Sequence, residues 1–168
     1  MKRQNSLVIA AHCILNVNAK IYPLARQPGT HIEVLASFLE KGAGIFQLPC
    51  PENAYLGMKR WGMTYEQYDT PAFRAFCRRI LAPPVDQIHN LVTNGCTVEA
   101  VVGMDKSPNC GAGETCTGYS GGEVCSPGIL EMQQPTLEFV PGKGLFFRIL
   151  DGMLKERNIN ARFTGISE

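Results

Sequence analysis

Cysteines are the residues of this chain with the greatest capacity for chemistry, and there are seven: Cys13, Cys50, Cys77, Cys96, Cys110, Cys116 and Cys125. Thiolates act as nucleophiles, as redox groups and as ligands for soft metals. An odd count does not suit a fully paired disulfide framework, and a chain of 168 residues can fold without one. The Cys-x-x-Cys spacing of zinc knuckles is also absent. We therefore expect reduced thiols and ask which of them the fold brings together.

Three of the cysteines each follow a short apolar run that predicts a buried strand. The runs Leu7–Ala11, Gly44–Leu48 and Val98–Met104 precede Cys13, Cys50 and Cys110, respectively. Nearly uniform apolar runs of this length are typical of strands that are covered on both faces. In an open parallel sheet, ligands bind beyond the carboxyl ends of the strands. We therefore expect these three thiols to converge at one edge of a sheet.

Helix signals lie between the predicted strands. Thr30–Glu33 has the pattern of a capping box, and the helix that it opens should stop at Gly42. Thr70-Pro71 opens another helix, which we expect Pro83-Pro84 to break before a further helix continues to Asn94-Gly95.

The C-terminal part of the chain completes the predicted fold. Leu145–Leu154 has the periodicity of an amphipathic helix, and Ile159–Ile166 predicts a closing strand. The order of elements predicts a single α/β domain over residues 1–168. Its architecture should be a three-layer, Rossmann-like sandwich with a mainly parallel sheet of four to five strands.

A long segment from about residue 105 to residue 134 lacks any periodicity and contains six glycines and three cysteines. Long structureless segments in compact domains are usually binding or active-site loops. We expect an active-site loop here, followed by an extra strand at Thr136–Val140.

The overall composition excludes several classes of protein. Apolar residues make up 45% of the chain and charged residues 18%, so disorder is not expected. Sixteen basic and fifteen acidic residues leave a net charge of +1, which does not favour a nucleic-acid partner. The run at Leu7–Ala11 is too short for a signal peptide, and no run approaches the roughly 20 apolar residues of a membrane span. We expect a cytoplasmic protein with a small-molecule partner and no membrane partner.

Three convergent thiolates allow several chemistries. Iron–sulfur clusters are usually held by four cysteines, so three would leave one iron without a protein ligand and open to a sulfur-bearing substrate. Structural zinc and a metal-free redox thiol are the alternatives. A thiol phosphatase is excluded, because the arginine it needs six positions after its cysteine is replaced by Ala19, Leu56 and Cys116.

Three short motifs carry a resemblance to a known family. The segments Ala11–Asn16, Leu48–Glu52 and Gly103–Gly111 read AHCILN, LPCPE and GMDKSPNCG. In this order they resemble the thiouracil desulfidase family, most closely a desulfidase-related branch with a His-Cys-x-Leu-Asn opening.

The resemblance implies a cofactor, a reaction and a set of site residues. Cys13, Cys50 and Cys110 would hold a 4Fe-4S cluster with one iron not ligated by protein, which takes the sulfur of a thiocarbonyl. The reaction replaces that sulfur by oxygen from water and releases hydrogen sulfide. Glu52 and Ser107 match positions that assist catalysis. Glu52 would activate water or shuttle protons, and Ser107 would bind substrate or relay a proton. The alternative is a non-catalytic iron–sulfur or zinc protein for sulfur carriage or sensing.

The other candidate residues are weaker. Cys77 falls on the apolar face of a predicted helix and Cys96 follows a turn, so both are expected to be structural. The purpose of Cys116 and Cys125 is left open.

Six further residues are weaker candidates. His12 and Asn16 lie beside the first motif, and Arg60 with Trp61 could form a wall for a heterocycle. His31 and His89 are expected to be surface or satisfied residues.

Overall fold

The computed structural model describes residues 4–119, 121–123 and 125–167, without the side chains of residues 130 and 133. Its strands are β1 (Ser6–Ala10), β2 (Gly44–Gln47), β3 (Thr97–Met104), β4 (Glu114–Thr117), β5 (Glu138–Pro141) and β6 (Phe163–Ile166). In the described part of the chain, four of them form a parallel sheet in the order β2-β1-β3-β6. Strands β4 and β5 form a separate antiparallel pair.

Helices alternate with these strands and pack around the parallel sheet. They are α1 (His12–Leu15), α2 (Ile32–Glu40), α3 (Pro51–Leu56), α4 (Tyr65–Tyr68), α5 (Pro71–Thr93), α6 (Ile129–Gln133) and α7 (Leu145–Lys155). Single turns of 3₁₀ helix cover Val17–Ala19 and Gln134–Thr136. The predicted α/β, Rossmann-like sandwich with a parallel sheet is confirmed. None of the described helices combines the length and the apolar character that crossing a membrane requires.

Strand β1 lies at the centre of the fold. Val8 and Ile9 are completely buried, and Val8 pairs with Ile45 of β2 on one side and Ala100 of β3 on the other. β-branched residues suit a pleated surface that is covered on both faces, which is why this short apolar run forms a central strand. The carboxyl ends of β2, β1 and β3 therefore lie side by side.

Helix α5 is continuous through Pro83 and Pro84, so the predicted break at this pair is wrong. A proline inside a helix costs about 3 kcal/mol, because a hydrogen bond is lost and the ring meets the preceding turn. Leu81, Val85 and Ile88 continue the buried stripe across the prolines, and burying each side chain contributes about 1.5–3 kcal/mol. Packing against the core thus outweighs the local cost.

The predicted capping box at Thr30–Glu33 is also wrong. Helix α2 begins at Ile32, and its N-cap is His31, which makes no side-chain capping bond. The His31 amide donates a hydrogen bond to the Ile14 carbonyl at 2.8 Å, which ties the chain to α1 just before the helix starts. This tertiary bond sets the helix start. His31 itself is buried, so of the two expected alternatives, surface or satisfied, the first is wrong, and its Nδ1 lies 3.5 Å from Glu33 Oε1.

Regular structure replaces part of the loop expected at about 105–134. Strand β4 and helix α6 lie in it, and β4 pairs with β5 so that Glu114 faces Pro141. A four-residue strand with a distant partner leaves no readable period in the sequence. The extra strand predicted at Thr136–Val140 exists as β5, although it joins β4 and not the main sheet. Positions 120 and 124 of the predicted loop lie outside the described residues.

The segment that follows β3 is packed tightly against the start of α7. The amide of Gly144 donates to Gly111, that of Leu145 to Pro108, and that of Phe147 to Asn109, at 2.8–3.0 Å. These loop carbonyls satisfy amides that a helix N-terminus leaves without intrahelical partners. A side chain at Gly144 would place its Cβ 2.5 Å from the Asn109 carbonyl carbon, so glycine is required for this contact.

We predict that Gly144→Ala lowers the free energy of unfolding by about 1–3 kcal/mol, the usual cost of overpacking a closed contact. Gly152→Ala in the same helix is the matched control. A Cβ at Gly152 meets nothing within 4 Å, so this change should raise stability by about 0.5–1 kcal/mol through helix propensity. Urea unfolding followed by circular dichroism measures both. Equal effects of the two substitutions would contradict the prediction.

Candidate functional site

The three cysteines predicted to converge lie at the same edge of the parallel sheet. Cys13 is in α1 just after β1, Cys50 is the N-cap of α3 just after β2, and Cys110 follows β3. Backbone hydrogen bonds hold the chain there beyond the strand ends. The Leu48 amide donates to Ala10 at 2.9 Å, and the Met104 amide donates to Cys110 at 3.1 Å.

The three thiols affect one another electrostatically. Burial, with a smaller contribution from Cys50, raises the pKa of the Cys13 thiol from 9.0 to about 12, while Lys20 opposes the shift. Burial also raises the pKa of Cys110 well above its ordinary value, and Cys13 and Cys50 add to the effect. Burial raises the pKa of Cys50, against an amide hydrogen bond from Asn53 at 3.4 Å. Without a cation, these neighbouring thiols are therefore neutral at physiological pH.

Glu52 lies beside the thiols and is buried in a hydrogen-bonded ion pair. Arg60 Nε donates to Glu52 Oε2 at 3.1 Å, and Asn109 Nδ2 donates to Glu52 Oε1 at 3.0 Å. The side chains of Arg60 and Glu52 are only 2% and 10% exposed. Each carboxylate oxygen thus has one protein donor. The suggested wall of Arg60 with Trp61 does not form, because Arg60 is turned inward while Trp61 is 75% exposed.

Arg60 also reaches the segment that carries Cys13. Its NH2 group donates to the Ala19 carbonyl at 2.7 Å, and its NH1 group donates to the Gly57 carbonyl at 3.2 Å. Ala19 belongs to the 3₁₀ turn that follows α1. We call the set of Glu52, Arg60, Asn109 and the Ala19 carbonyl the Glu52 network.

Ser107 holds the turn that carries Cys110. Its Oγ accepts hydrogen bonds from the amide of Cys110 at 3.0 Å and from the amide of Asn109 at 3.3 Å. This is the role of a serine that opens a turn, and it leaves the hydroxyl proton available for a further bond. The Asp105 carboxylate accepts three amides from residues 112–114 and so fixes the chain on the other side of Cys110.

Two buried polar atoms, one in the Glu52 network and one near it, meet no hydrogen-bond partner among the described residues. They are Asn109 Oδ1 and the Tyr68 hydroxyl oxygen. Burial raises the pKa of Tyr68, and the Glu52 carboxylate is near enough to add to the effect. An unsatisfied buried polar group costs about 1–3 kcal/mol. A ligand or water molecule that bonded to either atom would remove the cost at that atom.

The sequence patterns missed several residues of the site. Arg60 was not expected to pair with Glu52, and neither Asn109 nor Tyr68 was singled out. Lys20 was also missed, although its Nζ lies 3.8 Å from Met104 Sδ and its charge lowers the pKa of Cys13. Among these residues only Asn109 had a usable signal, because it lies inside the third motif, next to Cys110.

The remaining candidate residues are not part of the Glu52 network. Gln47 Nε2 contacts His12 Nδ1 at 3.2 Å, while Asn16 accepts a bond from Asn18 in an exposed position. Cys77 is completely buried in α5, as expected, and Cys96 is partly buried directly before β3.

The two cysteines of the expected loop differ from each other. Cys116 is partly buried in β4, and burial and then Glu66 raise its pKa. Cys125 is exposed. Over residues 4–119, 121–123 and 125–167, no three His, Cys, Asp or Glu side chains are arranged around a point that one metal ion could occupy.

Comparison with known proteins shows a similarity to an uncharacterized archaeal protein. The chain is 36% identical over 104 residues to an uncharacterized protein of Methanocaldococcus jannaschii. The matched segment covers 62% of this chain and 66% of the archaeal protein, just under two thirds of its length. No family model matches the chain. No solved structure matches it.

We predict that iodoacetamide labels Cys13 and Cys110 far more slowly than Cys125 in metal-free protein at pH 8. The reagent attacks the thiolate, and raising the pKa of Cys13 from 9.0 to about 12 lowers its thiolate fraction about 1,000-fold. The labelling rate of Cys13 should keep rising about tenfold per pH unit up to pH 11, as measured by mass spectrometry of the labelled peptides. A rate that levels off by about pH 10, as for a thiol with the ordinary pKa of 9.0, would show that burial does not perturb Cys13.

Proposed function

We propose that the protein is an iron–sulfur-dependent desulfidase that acts on a thiolated small molecule of the thiouracil type. The observation that carries the proposal is the placement of Cys13, Cys50 and Cys110 at the ends of three adjacent parallel strands, beside the buried Glu52 carboxylate. The resemblance of the three motifs to thiouracil desulfidases supports the same reading. A cytoplasmic location is part of the proposal, because reduced thiols need a reducing compartment.

The donor set fits a soft, positively charged cluster. Cys13, Cys50 and Cys110 have free thiols, and in the metal-free chain each has a raised pKa. A bound cation would offset the cost of ionising them together, whereas the metal-free redox thiol considered above would need a lowered pKa. A four-iron cluster does not require its thiolates to meet at one point, because each binds a different iron. These three cysteines would thus hold a 4Fe-4S cluster with one iron not ligated by protein.

The proposed reaction is a hydrolysis that needs no external electron donor. The two bonds between carbon and sulfur are replaced by two bonds between carbon and the oxygen of water, so a thiocarbonyl and water give a carbonyl and hydrogen sulfide. Both protons of the water end on sulfur, and no atom changes its oxidation state. When bound, the cluster supplies a Lewis-acidic iron with affinity for the thiocarbonyl sulfur.

The chain's own residues would orient the water and move its protons. Glu52 keeps free lone pairs beside its bonds to Arg60 and Asn109, since an ionised carboxylate has about four acceptor sites. It can therefore accept a proton from water. Asn109 Oδ1 and the Tyr68 hydroxyl supply an acceptor and a donor next to it. The Ser107 hydroxyl proton can hydrogen-bond to the substrate or pass to the departing sulfide.

The first test is anaerobic reconstitution with iron and sulfide. The wild type should bind about four irons per chain and gain an absorption band near ~400 nm, as expected for a thiolate-ligated cluster. Cys13→Ser, Cys50→Ser and Cys110→Ser should each lose most of this band. Cys96→Ser and Cys125→Ser are the matched controls and should retain it. A wild type that takes up zinc but no iron would refute the cluster.

The second test measures turnover of 2-thiouracil by the release of sulfide and the formation of uracil. Glu52→Gln and Ser107→Ala should lower kcat, counted per bound cluster, by about 10²–10⁴-fold, the range for lost acid–base groups. Cys125→Ser should leave kcat unchanged. If the reconstituted wild type binds a cluster and releases no sulfide from 2-thiouracil or other thiocarbonyl bases, the non-catalytic alternative of sulfur carriage or sensing replaces the desulfidase.

A further inference from the structure

The Glu52 network connects all three segments that carry the candidate ligands. Glu52 lies two residues after Cys50, Asn109 directly precedes Cys110, and the Ala19 carbonyl lies in the turn that follows the helix of Cys13. Arg60 and Asn109 supply every bond of this network. We infer that Arg60 and Asn109 are positioning residues, which hold the three cysteine segments in a fixed mutual arrangement through Glu52. The inference rests on the proposed function for the choice of these three cysteines, but the positioning itself requires neither iron nor turnover.

The sheet by itself does not set these positions. The strand ladders end before the cysteines, at Ala10, Gln47 and Met104. Beyond them each thiol lies in its own connection, and connections open locally more easily than strands do. The bonds of the Glu52 network cross from one connection to another, whereas the bonds of Ser107, Asp105 and Met104 act on the Cys110 connection alone.

Arg60 is suited to this task by the shape of its guanidinium group. It donates from three nitrogens to three acceptors: Glu52 Oε2, the Gly57 carbonyl and the Ala19 carbonyl. Lysine has one flexible ammonium group, which could keep the pairing with Glu52 but not the full set of bonds. Arg60→Lys therefore preserves the buried charge balance while it releases the Cys13 segment.

The side-chain amide of Asn109 suits this residue to the same positioning role. The side chain is completely buried and donates one bond to Glu52. Serine at this position is too short to reach the carboxylate, yet it keeps a small polar group in the turn. Asn109→Ser therefore releases the Cys110 segment from Glu52 and leaves the Arg60 bonds in place.

The test compares alkylation rates of individual cysteines in metal-free protein, read by mass spectrometry. Arg60→Lys should raise the labelling rate of Cys13 about tenfold or more and leave that of Cys77 unchanged, because only local opening is involved. Asn109→Ser should do the same for Cys110. The matched control is Arg74→Lys, which alters an exposed ion pair with Asp69 and should change none of these rates.

A parallel rise at Cys13, Cys77 and Cys110 in either variant would show general destabilisation and overturn the inference, as would no change at all. If Arg60→Lys does not fold, Asn109→Ser carries the same test at Cys110.

A second readout uses the reconstituted protein. Hydrogen bonding and solvent exposure set the reduction potential of a cluster. Asn109→Ser should therefore shift the potential and the electron paramagnetic resonance spectrum of the reduced cluster, whereas Arg74→Lys should not. Identical spectra for wild type and Asn109→Ser would contradict the positioning role.

The labelling experiment also separates the two proposals. If the selective labelling is seen but the wild type takes up no iron, the proposed function fails and the positioning role stands. If iron is bound but labelling is not selective, the positioning role fails and the proposed function stands.

Discussion

The site depends on one buried interaction, the ion pair between Glu52 and Arg60. Taking two charges out of water costs several kcal/mol for each, and their attraction recovers this only when the geometry is good and the remaining donors and acceptors are used. Here the Arg60 donors reach three acceptors and both oxygens of Glu52 are engaged. An apolar pair of the same volume could give equal stability. What it could not give is a directional connection between three chain segments.

The parallel sheet brings the three cysteine segments to the same edge, where the Glu52 network then connects them. Because β1 lies between β2 and β3, the three connections that carry Cys13, Cys50 and Cys110 leave the same edge of the sheet. Tight contacts then close the last connection. A side chain at Gly103 would put its Cβ 2.2 Å from the Cys110 carbonyl oxygen, and Gly144 is equally restricted against Asn109. The resulting burial raises the pKa of the thiols, so the chain by itself keeps them neutral.

The strands and the common edge that carries the three cysteines can be predicted from the sequence. The features that could not be predicted share one cause. The strands before Cys13, Cys50 and Cys110 follow from short apolar runs, and their common edge follows from the rules for parallel sheets. The errors at Pro83-Pro84 and at Thr30–Glu33 arose where tertiary packing overrides a local signal. The long-range bonds of the Glu52 network were out of reach for the same reason. Arg60 meets Ala19 across 41 residues and Asn109 meets Glu52 across 57, and no pattern in a single sequence encodes such pairings.

Glu52 illustrates how a positioning role and a chemical role can share one carboxylate. Two donors on fixed side chains hold the carboxylate in one orientation. A glutamate without these bonds would sample several rotamers. The lone pairs that remain then point to defined places, and the buried Asn109 Oδ1 and Tyr68 hydroxyl lie next to them. A general base gains from such preorganisation, because less rearrangement is needed when the proton moves. The bonds that hold the cysteine segments together are thus the same bonds that would aim Glu52 at a substrate.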